Sequence, residues 1–218
     1  MSKTPTFRAG EGSVRSLRWL VAALVIAVSL APASPAGAQS GSPAASAGED
    51  LGLMSLFPNE LKGAPVTAQV VAGPEAIAQL EPTKLDAVQA LMAAHAKTPD
   101  DLAIGYADLF NAAGRDGNIL ALQLRGADAA GFGIPLLLAI QGSPDMTLGQ
   151  EPTVIAGKDV LLLDVPGVEP AEAVYAYTHD DIAWFLRATT CTSSTSVSAC
   201  ATEGVDQALL EEMLGKLP

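Results

Sequence analysis

Twice along this sequence, two apolar runs lie too close together for anything but antiparallel pairing, and each pair is followed by an apolar stretch with helical spacing. The first pair is Leu102–Phe110 and Asn118–Arg125, between which Asp116-Gly117 predicts a tight turn. The second is Ala173–Thr178 and Ile182–Ala188, with the turn at His179-Asp180. Parallel neighbours need a crossover of a dozen or more residues, so connections this short predict hairpins and an antiparallel sheet. Further strands are expected at Val66–Val71 and Val160–Val165, from alternation or short apolar runs bounded by Gly and Pro.

Helices are expected in three places. Thr83 caps one, with Asp86 at the capping-box spacing, and Leu85, Val88, Leu91 and Met92 form its stripe up to Thr98-Pro99. A second opens at Gly126-Ala127-Asp128 and runs to Ile140, with Pro135 predicting a kink or restart. The third, Val205–Gly215, shows an apolar face of Leu209, Leu210, Met213, Leu214 and Leu217. The fold class is therefore α+β: an antiparallel sheet of about six strands with about three helices packed on it, segregated to one face. A faint repeat also shows. Gly63-x-x-Val66 and Gly157-x-x-Val160 each head a strand, and Ile119–Arg125 resembles Ile182–Arg187. A degenerate internal repeat and coincidence both remain open as explanations.

The folding part does not begin at Met1. Arg8, Arg15 and Arg18 precede the apolar run Trp19–Leu30, then Pro32, Pro35 and the small-x-small site Ala36-Gly37-Ala38. That order is the signature of a secretory signal peptide over residues 1–38, with a chain that starts at Gln39 and is secreted or extracytoplasmic. The apolar run is short of the roughly 20 residues that span a bilayer, so membrane contact is expected only through an uncleaved leader. Residues 39–50 are Ser-, Ala-, Pro- and Gly-rich and read as a flexible linker, leaving residues 51–218 for a single domain. Hydrophobic residues at 49% and charged ones at 17% exclude disorder throughout.

The full chain carries a net charge of −12. Losing residues 1–38 removes Lys3, Arg8, Arg15, Arg18 and Glu11 and leaves 8 basic against 23 acidic side chains, a net charge of −15. Phosphate neutralisation needs clustered Lys and Arg, so nucleic acid is not an expected partner. Cations and basic partners are compatible with the charge, which does not by itself select them. In an oxidising compartment, Cys191 and Cys200 are expected to form one disulfide closing a short Ser/Thr-rich loop, for a gain of somewhat under about 3 kcal/mol.

No catalytic, cofactor or metal signature is present. There is no Gly-x-Ser-x-Gly elbow, no Ser-x-x-Lys pair, no phosphate loop and no dinucleotide fingerprint. His95, near the end of its helix, is expected to be structural, and His179 with Asp180 and Asp181 is expected to be turn chemistry rather than a metal site. Tyr175 and Tyr177 share one side of their strand, which makes them the candidate binding surface if that side is not core. The leading expectation is an exported non-catalytic domain binding a small ligand or an envelope partner, without a cofactor. The alternatives are a secreted hydrolase with a dispersed site using His95 or His179, and a purely structural envelope protein.

Overall fold

The computed structural model describes residues 52–109, 115–141, 147–148, 152–164, 173–192 and 201–218. The expected signal peptide and linker, the 193–199 loop and Cys200 lie outside them. In chain order the elements are a 3-10 turn (Leu53–Leu56), β1 (Glu60–Leu61), β2 (Ala64–Pro65), β3 (Thr67–Ala72), α1 (Gly73–Ala78) and α2 (Pro82–Ala94). A second 3-10 turn (Pro99–Asp101) leads to β4 (Leu102–Leu109), β5 (Arg115–Leu124), α3 (Ala129–Gln141), β6 (Thr147–Leu148) and β7 (Thr153–Ile155). The rest is β8 (Lys158–Asp164), β9 (Val174–His179), β10 (Ile182–Thr192), β11 (Ala201–Val205) and α4 (Gln207–Lys216).

β1 and β2 make a hairpin of their own, and the other strands form one antiparallel sheet. Its order is β3-β4-β5-β10-β9-β8-β6, with β7 beside β8 and β11 beside β10. The fold is α+β, as the hairpins require. Among the described residues the sheet has 9 strands, the six expected and three short additional ones. The additional ones, β6, β7 and β11, span 2, 3 and 5 residues, too short for alternation to register. β10 organises the whole. One edge pairs with β5 from Ile182 to Thr190, while the other is shared by β9, on Ile182–Leu186, and β11, on Thr189–Thr192.

Register and burial place helices on both faces, which corrects the expectation of one covered face. On one face, Trp184, Leu186, Ile119 and Ala121 pack under Leu209, Leu210, Met213 and Leu214 of α4 and under Leu53, Phe57 and Leu61. The Phe57 and Trp184 rings meet edge to face at 5.4 Å. On the other face, Ile104, Leu122, Ala183 and Phe185 lie beneath α3, whose Phe132, Leu136 and Leu137 are buried, and α2 packs against α3 in turn. Double-sided burial explains the unbroken apolar runs Ile119–Leu122 and Ile182–Leu186, a pattern that strands covered on both faces share.

Local chemistry corrects several boundaries. Asp116-Gly117 is not a turn but lies within β5, where α4 passes close over Gly117. A Cβ there would sit 2.4 Å from Met213 Cε. Glu81, not Thr83, is the N-cap of α2, and Pro82 at the first turn supplies the preset φ. α3 runs from Ala129 to Gln141 through Pro135, which is exposed. Among the described residues no helix is long and apolar enough to cross a membrane.

The faint repeat has a structural counterpart in the strands. The order β3-β4-β5 followed by β10-β9-β8 is a palindrome, with the last strands of two meanders meeting antiparallel at its centre. Gly63 and Gly157 both sit at the second, left-handed position of a two-residue hairpin turn, after Lys62 and Ala156 at positive φ. The helices break the pattern. A twofold that swaps two antiparallel strands stands perpendicular to the sheet and keeps each face on its own side, yet α3 and α4 cover opposite faces.

Candidate functional site

The tyrosines singled out by sequence lie against the core. Tyr177 is 9% exposed and belongs to the core under α4. Its hydroxyl donates to the Pro218 carbonyl at 2.8 Å, and the Lys158 ammonium lies 4.4 Å from its ring centre. Lys158 also donates to Leu217 O at 2.9 Å and to Pro218 O, so a cation meets the carbonyls at the C-terminal end of α4, where the helix dipole favours it. Tyr175 is half-buried against the same core, opposite Leu186 and Leu162. The ends of α4 and β8 thus occupy the space over Tyr177 that a recognition surface would need.

His179 is exposed at the hairpin, 3.5 Å from the Asp180 carboxylate, and its ring stacks at 6.4 Å on Tyr177. Asp181 is a clamp: its carboxylate accepts from Gly126 N at 2.8 Å and Gln123 Nε2 at 3.2 Å, tying this turn to the start of α3. His95 ends α2 and meets Phe132 edge to face at 6.3 Å. The two histidines belong to different elements and are not brought together. Among the described residues, no group of three or more His, Cys, Asp or Glu could hold a metal. Cys191 lies in β10, opposite Thr202, while Cys200 falls outside the described residues.

The sheet holds a polar constellation that the sequence reading missed. Antiparallel register aligns Thr67, Asp108, Asn118 and Arg187 in one row across β3, β4, β5 and β10, on the face that α3 covers. Tyr106 lies in the next row of that face on one side, and Asp116 and Thr189 pair in the next row on the other. Arg187 is 9% and Thr189 1% exposed, while Tyr106, Asp108, Asp116 and Asn118 are half-buried. The sequence signal is a set of polar residues two apart in otherwise apolar strands: Tyr106-x-Asp108, Asp116-x-Asn118 and Arg187-x-Thr189. Reading Asp116-Gly117 as a turn hid it, because that choice removed Asp116 from the strand.

Within this stripe the Tyr106 hydroxyl donates to Asp108 Oδ1 at 2.5 Å. Arg187 Nη2 stands 3.5 Å from Asp116 Oδ2, and the Thr189 hydroxyl donates to the Asp116 carbonyl at 3.3 Å. Burial pushes the Asp108 carboxyl up to about 6, with Asp116 adding to the rise, while the Tyr106 bond and Arg187 oppose it. Burial also pushes the Tyr106 hydroxyl upward, reinforced by Asp108. On the opposite face Arg115, one residue from Asp116, pairs with Asp206 at 2.8 Å at the start of α4. These described members bring together carboxylates, a guanidinium, an amide and hydroxyls, a set equipped to hydrogen-bond and to hold a proton. Comparison with known protein families, with curated proteins and with solved structures gives no match.

Proposed function

We propose that this protein is exported and acts as a non-catalytic binding domain at the cell envelope or outside it, with its ligand held on the polar stripe. The observation that carries the reading is the row Thr67–Asp108–Asn118–Arg187, four polar side chains in register that run from exposed Thr67 through half-buried Asp108 and Asn118 to buried Arg187. Burying polar groups costs stability unless they are satisfied, and apolar residues of similar shape would serve folding at least as well. A binding role gives such a row a reason to exist. Export is supported by the leader, the linker and the acidic chain that follows them. The Cys191–Cys200 disulfide belongs to the same proposal, since that compartment allows it to persist.

The test has two parts. Protein recovered from the exporting cell should begin at Gln39, and an intact membrane-embedded Met1–Pro218 chain would refute export. A thermal-shift screen over amines, sugars, carboxylates and lipids should give a compound that raises the melting temperature, because a ligand of the folded state alone stabilises it. Asn118→Leu should abolish that rise. A compound whose effect depends on His95 or His179 would favour the hydrolase reading instead, and a screen without any rise would favour a structural envelope protein.

A further inference from the structure

We propose that the free edge of β3 docks an extended, basic polypeptide segment, which joins the sheet as a further strand. This goes beyond the reading above, because backbone groups of β3, rather than side chains of the polar row, receive the partner. β3 ends the sheet: it pairs with β4 in unbroken register from Thr67–Asp108 to Ala72–Ala103, and among the described residues no strand lies on its other side. Alternate residues of an antiparallel strand turn both backbone groups toward the same neighbour. Half of the six residues of β3 therefore aim N–H and C=O away from β4, and Thr67–Val71 make no other backbone–backbone bond among the described residues. Natural sheets blunt such edges with charge, proline, a bulge or brevity. β3 uses none of these: Thr67–Ala72 carries no charge and no proline, and its register has no shift. The opposite border is blunted, since β6 and β7 span 2 and 3 residues. Ala68 and Val70 pack against the core and hold β3 extended, while Thr67 and Gln69 stay exposed. An incoming strand thus meets a template already ordered. Charge selects the occupant. The chain carries −12, and Lys62, Lys84, Arg115, Arg187 and Lys216 are each engaged with a carboxylate. Glu75, in the helix that directly follows β3, makes no ion pair among the described residues. A second copy would bring its own like charge to this edge, whereas a segment bearing Lys or Arg is drawn to it.

NMR titrations of the purified protein at low ionic strength, with the synthetic peptides acetyl-KVTVTVK-amide, acetyl-EVTVTVE-amide and acetyl-KVTPTVK-amide, test this. The lysine peptide should shift the amides of Thr67–Ala72 saturably and slow hydrogen exchange at alternate ones. The glutamate peptide should bind about tenfold more weakly. The proline peptide should not bind, because its centre has lost a ladder donor. Gln69 is exposed, so a charge enters there without disturbing the core. Gln69→Lys should weaken the lysine peptide roughly fivefold and Gln69→Glu should tighten it by a similar factor, as charges facing across neighbouring strands do. Damage to the strand would weaken both variants, so opposite signs identify the edge itself. No binding of the lysine peptide, equal binding of the proline peptide, tighter binding of the glutamate peptide, or saturable shifts that leave β3 untouched would each overturn the proposal. Sedimentation equilibrium of the protein alone should give a monomer. A dimer that protects the β3 amides would make a second copy the occupant and overturn it as well. Each of these outcomes leaves the thermal-shift screen to decide the polar row.

Discussion

Ionising Asp108 is harder in the folded protein than in the unfolded chain, because its carboxyl rises from an ordinary 3.8 to about 6 when half-buried. The stability that its protonated form provides is complete below about pH 4 and is lost as pH rises through about 6. Glu212 has the opposite sign. Hydrogen bonds from Lys62 N and Lys216 hold it near 2, so its contribution is present above its ordinary 4.5 and disappears as pH falls toward 2. Urea midpoints should therefore decline between pH 4 and pH 6, and Asp108→Asn should remove that decline and stabilise the protein at pH 7. A variant with the parental slope would show that the titration belongs elsewhere. Glycines give a second test at this scale. Ala normally gains about 0.5–1 kcal/mol over Gly inside a helix. At Gly133, however, a Cβ would stand 2.3 Å from Ala183 Cβ, so Gly133→Ala should instead lose about 1–2 kcal/mol through overpacking. Gly131 in the same helix is exposed, with His95 Cε1 at 3.7 Å from an added Cβ, so Gly131→Ala should gain about 0.5 kcal/mol. Opposite signs in denaturant midpoints confirm the close approach of α3 to β10; equal gains would contradict it.

Among the elements, α4 depends most on one side chain. Asp206 is 6% exposed, accepts from Leu209 N at 3.0 Å as the N-cap, and pairs with Arg115 at 2.8 Å. Its own N–H donates to Ala188 O at 3.0 Å, so cap and strand are one unit. Asp206→Ala should cost about 2 kcal/mol, at the upper end for a cap because a partly buried cation also loses its partner. Asp206→Asn should recover part of this by restoring the cap acceptor. The final-helix face of Leu209, Leu210, Met213, Leu214 and Leu217 was fully legible, since its periodicity is local, and all five are buried. The location of that face was not: only Gly117 and the Trp184 row show where it docks.

At the scale of the whole molecule, the β5–β10 pair is the axis of the sheet, flanked by a meander on each side and helices on both faces. Hydrogen exchange should be slowest at Leu120–Leu122 and Ala183–Leu186 and fastest in β1, β2, β6 and β7, which are short or peripheral. Equal protection in β7 and β10 would contradict a sheet built outward from its centre.

The sequence by itself determined the antiparallel α+β class, both hairpins, the three principal helices and the buried face of the last one, because turn length and apolar period act between near neighbours. Only the tertiary structure decided what depends on register and layer order. It placed Tyr177 beneath the end of α4, carried α3 and α4 to opposite faces and drew Asp116 into a strand. It also aligned Asp108, Asn118 and Arg187, up to 79 positions apart, in a single row. Each of those outcomes follows from pairings between distant strands, and a pairing of that kind leaves no period in the chain that makes it.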